Sequence, residues 1–195
     1  LYVRCWMFAA FGMGPECASM STAQTPPLRS HAYPKGKPGL SERNYLKVIR
    51  GNTFSRFCAK VFRSCLVKGI PVWTENPLHS WLWRQPEWTA LKSIEFGDCT
   101  LCFCRFGTPW RKGTRFRTNI RLLNSVHLPC QCQCGHTELR GKDNFGRFWT
   151  SIAEPYPFGV AELLAQATCV AAGWKAGTVS PDKVALASLV RVLRL

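Results

Sequence analysis

Apolar and polar positions change period along the chain in a way that marks its elements. Residues 2–12 form a short, continuous apolar run ending in Gly12-Met13-Gly14-Pro15, which predicts a buried central strand of a parallel sheet. Residues 13–40 are rich in Gly, Pro, Ser and Thr, with Pro26-Pro27 and Pro34-Lys35-Gly36-Lys37-Pro38-Gly39, and predict a long irregular loop. Loops of that length inside a compact domain are usually functional or disordered. Ser41-Glu42 opens a helix in which Leu46, Ile49, Phe57, Val61 and Leu66 recur at near-helical spacing, and Gly69 closes it. Ile70-Pro71-Val72-Trp73-Thr74 reads as the next strand, ending at Glu75-Asn76-Pro77. Strand, helix and strand in this order make a βαβ unit, which implies parallel pairing and a right-handed crossover.

Beyond it the pattern is less regular. Residues 78–93 are Trp-rich and read as helix in pieces, broken by Pro86. Ser93 to Phe106 and Thr114 to Ile120 read as two further strands around the basic turn Gly107-Thr108-Pro109-Trp110-Arg111-Lys112-Gly113. Residues 121–158 read as irregular, with cysteines at 130–134, and residues 159–176 as helix. Ser180-Pro181-Asp182 supplies an N-cap, a proline at the first helical position and an acid for the dipole, opening a last helix with Val184, Leu186, Leu189, Val190 and Leu193. The fold class expected is α/β, with residues 1–120 as one half and 121–195 as a Cys-rich segment and C-terminal helices of the same domain.

Composition narrows the choice of partner. The 195 residues carry 26 Lys and Arg against 11 Asp and Glu, a formal net charge of +15. Such an excess favours a polyanion, because basic side chains on phosphate release condensed counterions. Eleven cysteines invite a disulfide framework. Their odd number argues against it, as does the place of Cys58, Cys65 and Cys169 in apolar helical patterns, where a free thiol acts as a small hydrophobe. Reduced thiols imply an intracellular protein, nuclear if eukaryotic. The apolar opening is shorter than the ~20 residues of a membrane span, so no membrane is expected; the other reading of that run is a signal-peptide core.

Three places along the chain carry chemistry. Gly14-Pro15-Glu16-Cys17-Ala18-Ser19-Met20-Ser21 brings a cysteine into a loop at the carboxyl edge of a parallel sheet, where ligands gather in open α/β folds. A thiol there becomes nucleophilic if cations lower its pKa, and Arg29, Lys35 and Lys37 are candidates to do so. Glu75-Asn76-Pro77 ends the next strand at the same edge, a poor place for core packing and a good one for a carboxylic acid that holds or protonates a ring nitrogen. The Phe106–Arg117 segment then offers a tight turn with basic positions for phosphate or a base edge.

These three motifs, in this order, resemble the core of DNA cytosine-5 methyltransferases: Pro-Cys-x-x-x-Ser, then Glu-Asn, then a Gly-x-Pro turn running into basic residues. The string is similar in more detail to divergent methylase-like proteins associated with mobile elements, through Pro27-Leu28-Arg29-Ser30, Glu75 to Trp83 and Phe106 to Thr114. The likeness covers residues 5–120, with Trp149-Thr150 and Glu154-Pro155-Tyr156-Pro157 as outlying matches. It implies a partial Rossmann-like sheet with helices on both faces. It also implies a Cys17 nucleophile that adds to C6 of cytosine, Glu75 acting on N3, and Asn76 shaping the Glu75 loop. DNA would be contacted by Ser19, Ser21, Arg29, Arg111, Lys112 and Arg115, with S-adenosylmethionine as methyl donor.

Departures qualify the likeness. Glu16 replaces the second proline before the cysteine, a negative charge expected to raise the thiol pKa. Trp110-Arg111-Lys112-Gly113-Thr114 keeps one basic position of the family's Gln-x-Arg-x-Arg in register. The glycine-rich loop that binds the cofactor in the family is not in the sequence, and Gly51-Asn52 matches a late Gly-Asn motif only superficially. The chain thus reads as the catalytic-loop half, without its first cofactor-binding strands. The alternative is a non-catalytic basic DNA-binding or zinc-binding module: Cys99, Cys102 and Cys104, with Cys130, Cys132, Cys134 and His136, offer thiolates and an imidazole for zinc.

Overall fold

The computed structural model describes residues 8–91, 96–133 and 135–173. The start of the first expected strand, Cys134 and the expected last helix lie outside the described residues. In chain order come β1 (Phe11–Met13), α1 (Glu42–Lys68), β2 (Val72–Pro77), α2 (Pro86–Thr89), β3 (Gly97–Cys102), β4 (Gly113–Thr118), α3 (Arg121–Asn124), β5 (His127–Leu128), α4 (Trp149–Ile152) and α5 (Phe158–Ala171). The sheet is five-stranded in the order β1-β2-β4-β3-β5. β1 and β2 pair in parallel, with Met13 beside Thr74, as the βαβ reading expects. β4 runs antiparallel to both β2 and β3, and β5 adds in parallel to β3. The sheet is therefore mixed. The short link from β3 to β4 can join only antiparallel neighbours. Among the described strands β1 stands at an edge rather than in the centre.

β2 shows how the two faces are filled. Its residues alternate, with Val72, Thr74 and Asn76 buried and Trp73 and Glu75 on the opposite face. Val72 joins Cys58, Ala59, Phe62 and Cys65 of α1, together with Trp88. Trp73 packs instead with Phe116 and with Val160, Leu163, Leu164 and Ala167 of α5. One long helix thus covers each face. Gly12 of β1 is where the chain passes under Trp73: a Cβ there would lie 2.3 Å from the indole Cζ2.

α1 ends as predicted at Gly69, whose left-handed conformation (φ 63°) aims its N–H at the carbonyls of Cys65 and Leu66. Its inward face differs from the expected one. Leu46, Ile49 and Phe57 are exposed, while Val48, Ser55, Cys58, Ala59, Phe62 and Cys65 are buried. Small residues at 55, 58, 59 and 65 let the helix approach the sheet closely, which outweighs the larger apolar side chains on the other stripe. The 93–106 segment also departs from expectation. β3 stops at Cys102 and residues Phe103–Phe106 form a 3-10 turn.

The 13–40 loop is irregular, as its composition predicts, but it is organised around Arg29, which is 1% exposed. The guanidinium donates to the Ser19 carbonyl (2.8 Å) and hydroxyl (2.9 Å), the Pro34 carbonyl (2.7 Å), Asn52 Oδ1 (2.8 Å) and the Val48 carbonyl (3.3 Å). Asn52 in turn donates to the Lys35 carbonyl at 2.9 Å. Gly51 leaves room for this arrangement, since a Cβ there would sit 2.4 Å from Ser19 Oγ and 3.1 Å from Arg29 Nη2. One buried cation thereby fastens both ends of the loop to α1.

Candidate active site

Parallel pairing puts the carboxyl ends of β1 and β2 at one sheet edge. Cys17 leaves the first and Glu75 lies on the second. The buried Asn76 donates from Nδ2 to the Pro15 carbonyl at 2.8 Å, tying the cysteine loop to the end of β2. Gly14 borders the site: a Cβ on it would meet Tyr156 Oη at 3.6 Å and Glu75 Oε2 at 3.8 Å, ordinary contact distances. The result is a cleft of about 500 Å³ whose walls include Cys17, Glu75, Asn76, Lys112, Glu154 and Tyr156. That volume accommodates a pyrimidine ring.

Glu75 lies on the Trp73 face, opposite Phe116 in register. Tyr156 packs its ring edge-on against Phe103 and Phe116 and donates its hydroxyl to Glu75 Oε2 at 3.3 Å. Lys112 reaches across from the β3–β4 turn, its Nζ donating to the Ala153 carbonyl at 2.8 Å and lying 4.8 Å from the Phe103 ring centre. Burial raises the Glu75 pKa, while the Lys112 charge and the Tyr156 hydroxyl oppose it. Burial also lowers the Lys112 pKa, against the pull of Glu75, Cys17 and Glu154. Tyr156 is held protonated, its pKa raised by burial and by Glu75.

Cys17 is open to solvent along one side, yet the surrounding protein raises its thiol pKa, with the Glu75 charge second and Lys112 opposing. The carboxylate chiefly responsible is therefore Glu75 and not Glu16, which lines the same cleft but pairs with Arg50 at 3.2 Å. Lys112 replaces Arg29, Lys35 and Lys37 as the cation that favours the thiolate. Cys17, Glu75 and Lys112 titrate against one another, and moving one proton from the thiol to the carboxyl gives a thiolate beside a neutral acid at unchanged net charge.

This coupling has a direct signature. Glu75→Gln removes the negative charge, lowers the Cys17 pKa and speeds alkylation by iodoacetamide at neutral pH. Lys112→Gln removes the cation and slows it. Each change is expected to be about three- to tenfold, as for one charge a few ångströms away in a solvent-open cleft. Mass spectrometry of the Cys17 peptide across a pH series measures both.

The other expected contact residues are scattered. Ser19 and Arg29 are buried in each other's company and cannot face phosphate. Ser21 Oγ accepts from the Ala23 N–H at 3.1 Å. Arg111 is exposed on the basic turn. Arg115 projects to the opposite face of β4, where it lies 5.4 Å from the Trp83 ring centre and 3.3 Å from Asp98, which also accepts from Arg117. The alternation along β4, with Thr114, Phe116 and Thr118 buried, explains why Arg115 and Lys112 do not share a face. Tyr156 and Glu154 come from the Glu-Pro-Tyr-Pro string, whose only signal in the sequence is its place as an outlying match to the resemblance.

Of the thiols expected near zinc, Cys99 and Cys102 are core residues, 0% and 3% exposed. Cys104, Cys130, Cys132 and His136 gather beside Cys102 and have the donors for a metal. Compared with family models, curated proteins and solved structures, the chain matches none of them.

Proposed function

We propose that the cleft takes a cytosine flipped out of DNA and activates its C5 for methyl transfer, as the base-activating half of a DNA cytosine-5 methyltransferase. The observation that carries this reading is the meeting of Cys17 and Glu75, each from a different strand tip, in one pyrimidine-sized cleft beside Lys112. Within it the Cys17 thiolate adds to C6, forming a C–S bond while the C5=C6 electron pair moves toward C5 and the ring. Glu75 takes up the thiol's proton as the thiolate forms and delivers it to N3, and burial, which raises its pKa, favours that protonated form. Lys112 stabilises the thiolate before attack, Tyr156 fixes the carboxyl group, and Asn76 fixes the loop that bears the nucleophile. The net charge of +15 and the exposed Arg111 support DNA as partner, and extrusion of the base costs a few kcal/mol.

The partial Rossmann-like reading of the sheet belongs to this proposal, since β1-α1-β2 ending at the cleft is the part of such a fold that would bear the nucleophile. The described residues do not fit S-adenosylmethionine. That cofactor calls for a glycine-rich turn running from a strand into a helix N-terminus. Here β1 opens into the 14–40 loop, and Trp73 fills the space above Gly12. The chemistry assigned to this chain accordingly ends at the C5-activated base. The same misfit favours a second reading, a basic DNA-binding protein without catalysis.

Hydrogen exchange separates the two. Once the thiol has added, C5 accepts a proton from water, loses its original hydrogen, and the thiolate departs. DNA carrying tritium at cytosine C5 is expected to release it to water in the presence of the full chain. Release no faster than with a Cys17→Ala variant leaves the non-catalytic reading standing.

A further inference from the structure

We propose that Cys104, Cys130, Cys132 and His136 bind one zinc ion, and that this ion fastens the 129–148 segment to the turn that delivers Lys112. The four ligand atoms lie within 4.8 Å of one another. Zinc prefers four ligands in a tetrahedron, with Zn–S of about 2.3 Å and Zn–N of about 2.0–2.1 Å, so adjacent ligand atoms should stand roughly 3.6–3.8 Å apart. Cys130 Sγ and His136 Nε2 are 3.6 Å apart. Small side-chain rotations bring the others to that spacing.

Packing alone does not account for the group. Cys58, Cys65 and Cys99 are buried as small hydrophobes, but Cys132 is exposed and Cys104 and Cys130 are only half-buried, with no disulfide among them. The break after Cys102 supplies the geometry. The 3-10 turn Phe103–Phe106 places Cys104 where its Sγ meets the ligand atoms of Cys130, Cys132 and His136. Cys102 Sγ, 3.2 Å from Cys104 Sγ, belongs to the core and stands outside the ligand set.

The surroundings explain what a metal would do. Between β5 and α4 the described backbone holds only two isolated bridges, Trp110 with Thr137 and Lys142 with Phe148. The Thr137 N–H donates to the Pro109 carbonyl at 2.8 Å, and Arg105 donates to the Gln131 side chain. A segment with so little regular structure gains most from a cross-link, because metal binding is then coupled to folding. The cross-link would hold this loop against the β3–β4 turn, close in sequence to Lys112, whose ammonium already bonds the 153–154 carbonyls. The site is distinct from the Cys17 cleft and stands whether or not that cleft is catalytic.

The full chain, produced with zinc and purified under reducing conditions, is expected to carry one zinc per molecule by elemental mass spectrometry. Replacement by cobalt(II) is expected to give the intense visible bands and thiolate charge-transfer absorption of a tetrahedral site. Cys132→Ser, at an exposed position, should weaken cobalt binding more than about 100-fold, beyond the 10–100-fold typical of losing an outer-shell partner. If Cys132→Ser does not fold, His136→Cys decides the matter, since it should retain tetrahedral cobalt with stronger charge-transfer absorption. A folded chain free of zinc, a weak octahedral cobalt spectrum, or a Cys132→Ser variant binding as tightly as the parent overturns the site.

Discussion

Cys17→Ala is expected to reduce cytosine C5 hydrogen exchange by at least about a thousandfold, the scale on which covalent catalysis fails without its nucleophile. The substitution removes one sulfur from an open position at the mouth of the cleft, so the fold should not register it. Unfolding midpoints in urea are expected to agree within about 0.5 kcal/mol of stability, as for most surface changes. Cys17→Ser should restore little, since a hydroxyl beside Glu75 and Lys112 stays protonated where the thiol can ionise. Activity that survived in Cys17→Ala would assign the exchange to another group lining the cleft.

Arg29→Met is expected to destabilise the protein by about 3–5 kcal/mol. The methionine fills most of the space but donates nothing, and it strands the carbonyls of Ser19, Pro34 and Val48 together with Asn52 Oδ1. Each buried acceptor left unpaired costs about 1–3 kcal/mol, and the sum is reduced by relaxation of the loop. Arg29→Lys should recover only part of the loss, because one ammonium cannot span acceptors arranged around a planar fork. Urea denaturation measures the change. Faster proteolytic cleavage within 18–40 should accompany it, since Arg29 is the main tie between that loop and α1. Equal stability of Arg29→Met and the parent would mean that the loop is held by other contacts.

The contrast between these two residues shows what the sequence makes legible. Cys17 and Glu75 can be placed together without coordinates, because an apolar run, an amphipathic stretch closed by Gly69 and a second apolar run specify parallel strands whose tips share an edge. Arg29 cannot be placed that way. Its burial depends on acceptors drawn from residues 19, 34, 48 and 52, and no local pattern distinguishes it from an arginine that faces phosphate. Lys112 is a similar case, a turn lysine drawn inward by the 153–154 carbonyls. The inward stripe of α1 was hidden because residues as small as Ser55 and Ala59 mark it, while Leu46 and Phe57 mark the outer one. Tyr156 enters from a stretch with no periodicity. Cys104 changes from a strand residue to a metal-ligand candidate through a single 3-10 turn.

Glu75→Gln offers the most direct test of the central claim, because it should move two reactions of the same thiol in opposite directions. DNA containing 5-azacytosine has nitrogen at ring position 5. The Cys17 thiolate adds at C6, the N5=C6 bond opens, and N5 takes a proton, leaving an adduct that mass spectrometry can assign to a peptide. With an acid at N3 this addition is assisted; with glutamine it is not. The expected result is an adduct on Cys17, formed more slowly in Glu75→Gln even as that variant reacts faster with iodoacetamide. Adduct formation that tracks iodoacetamide reactivity would contradict the account by showing a merely accessible thiol with no acid partner.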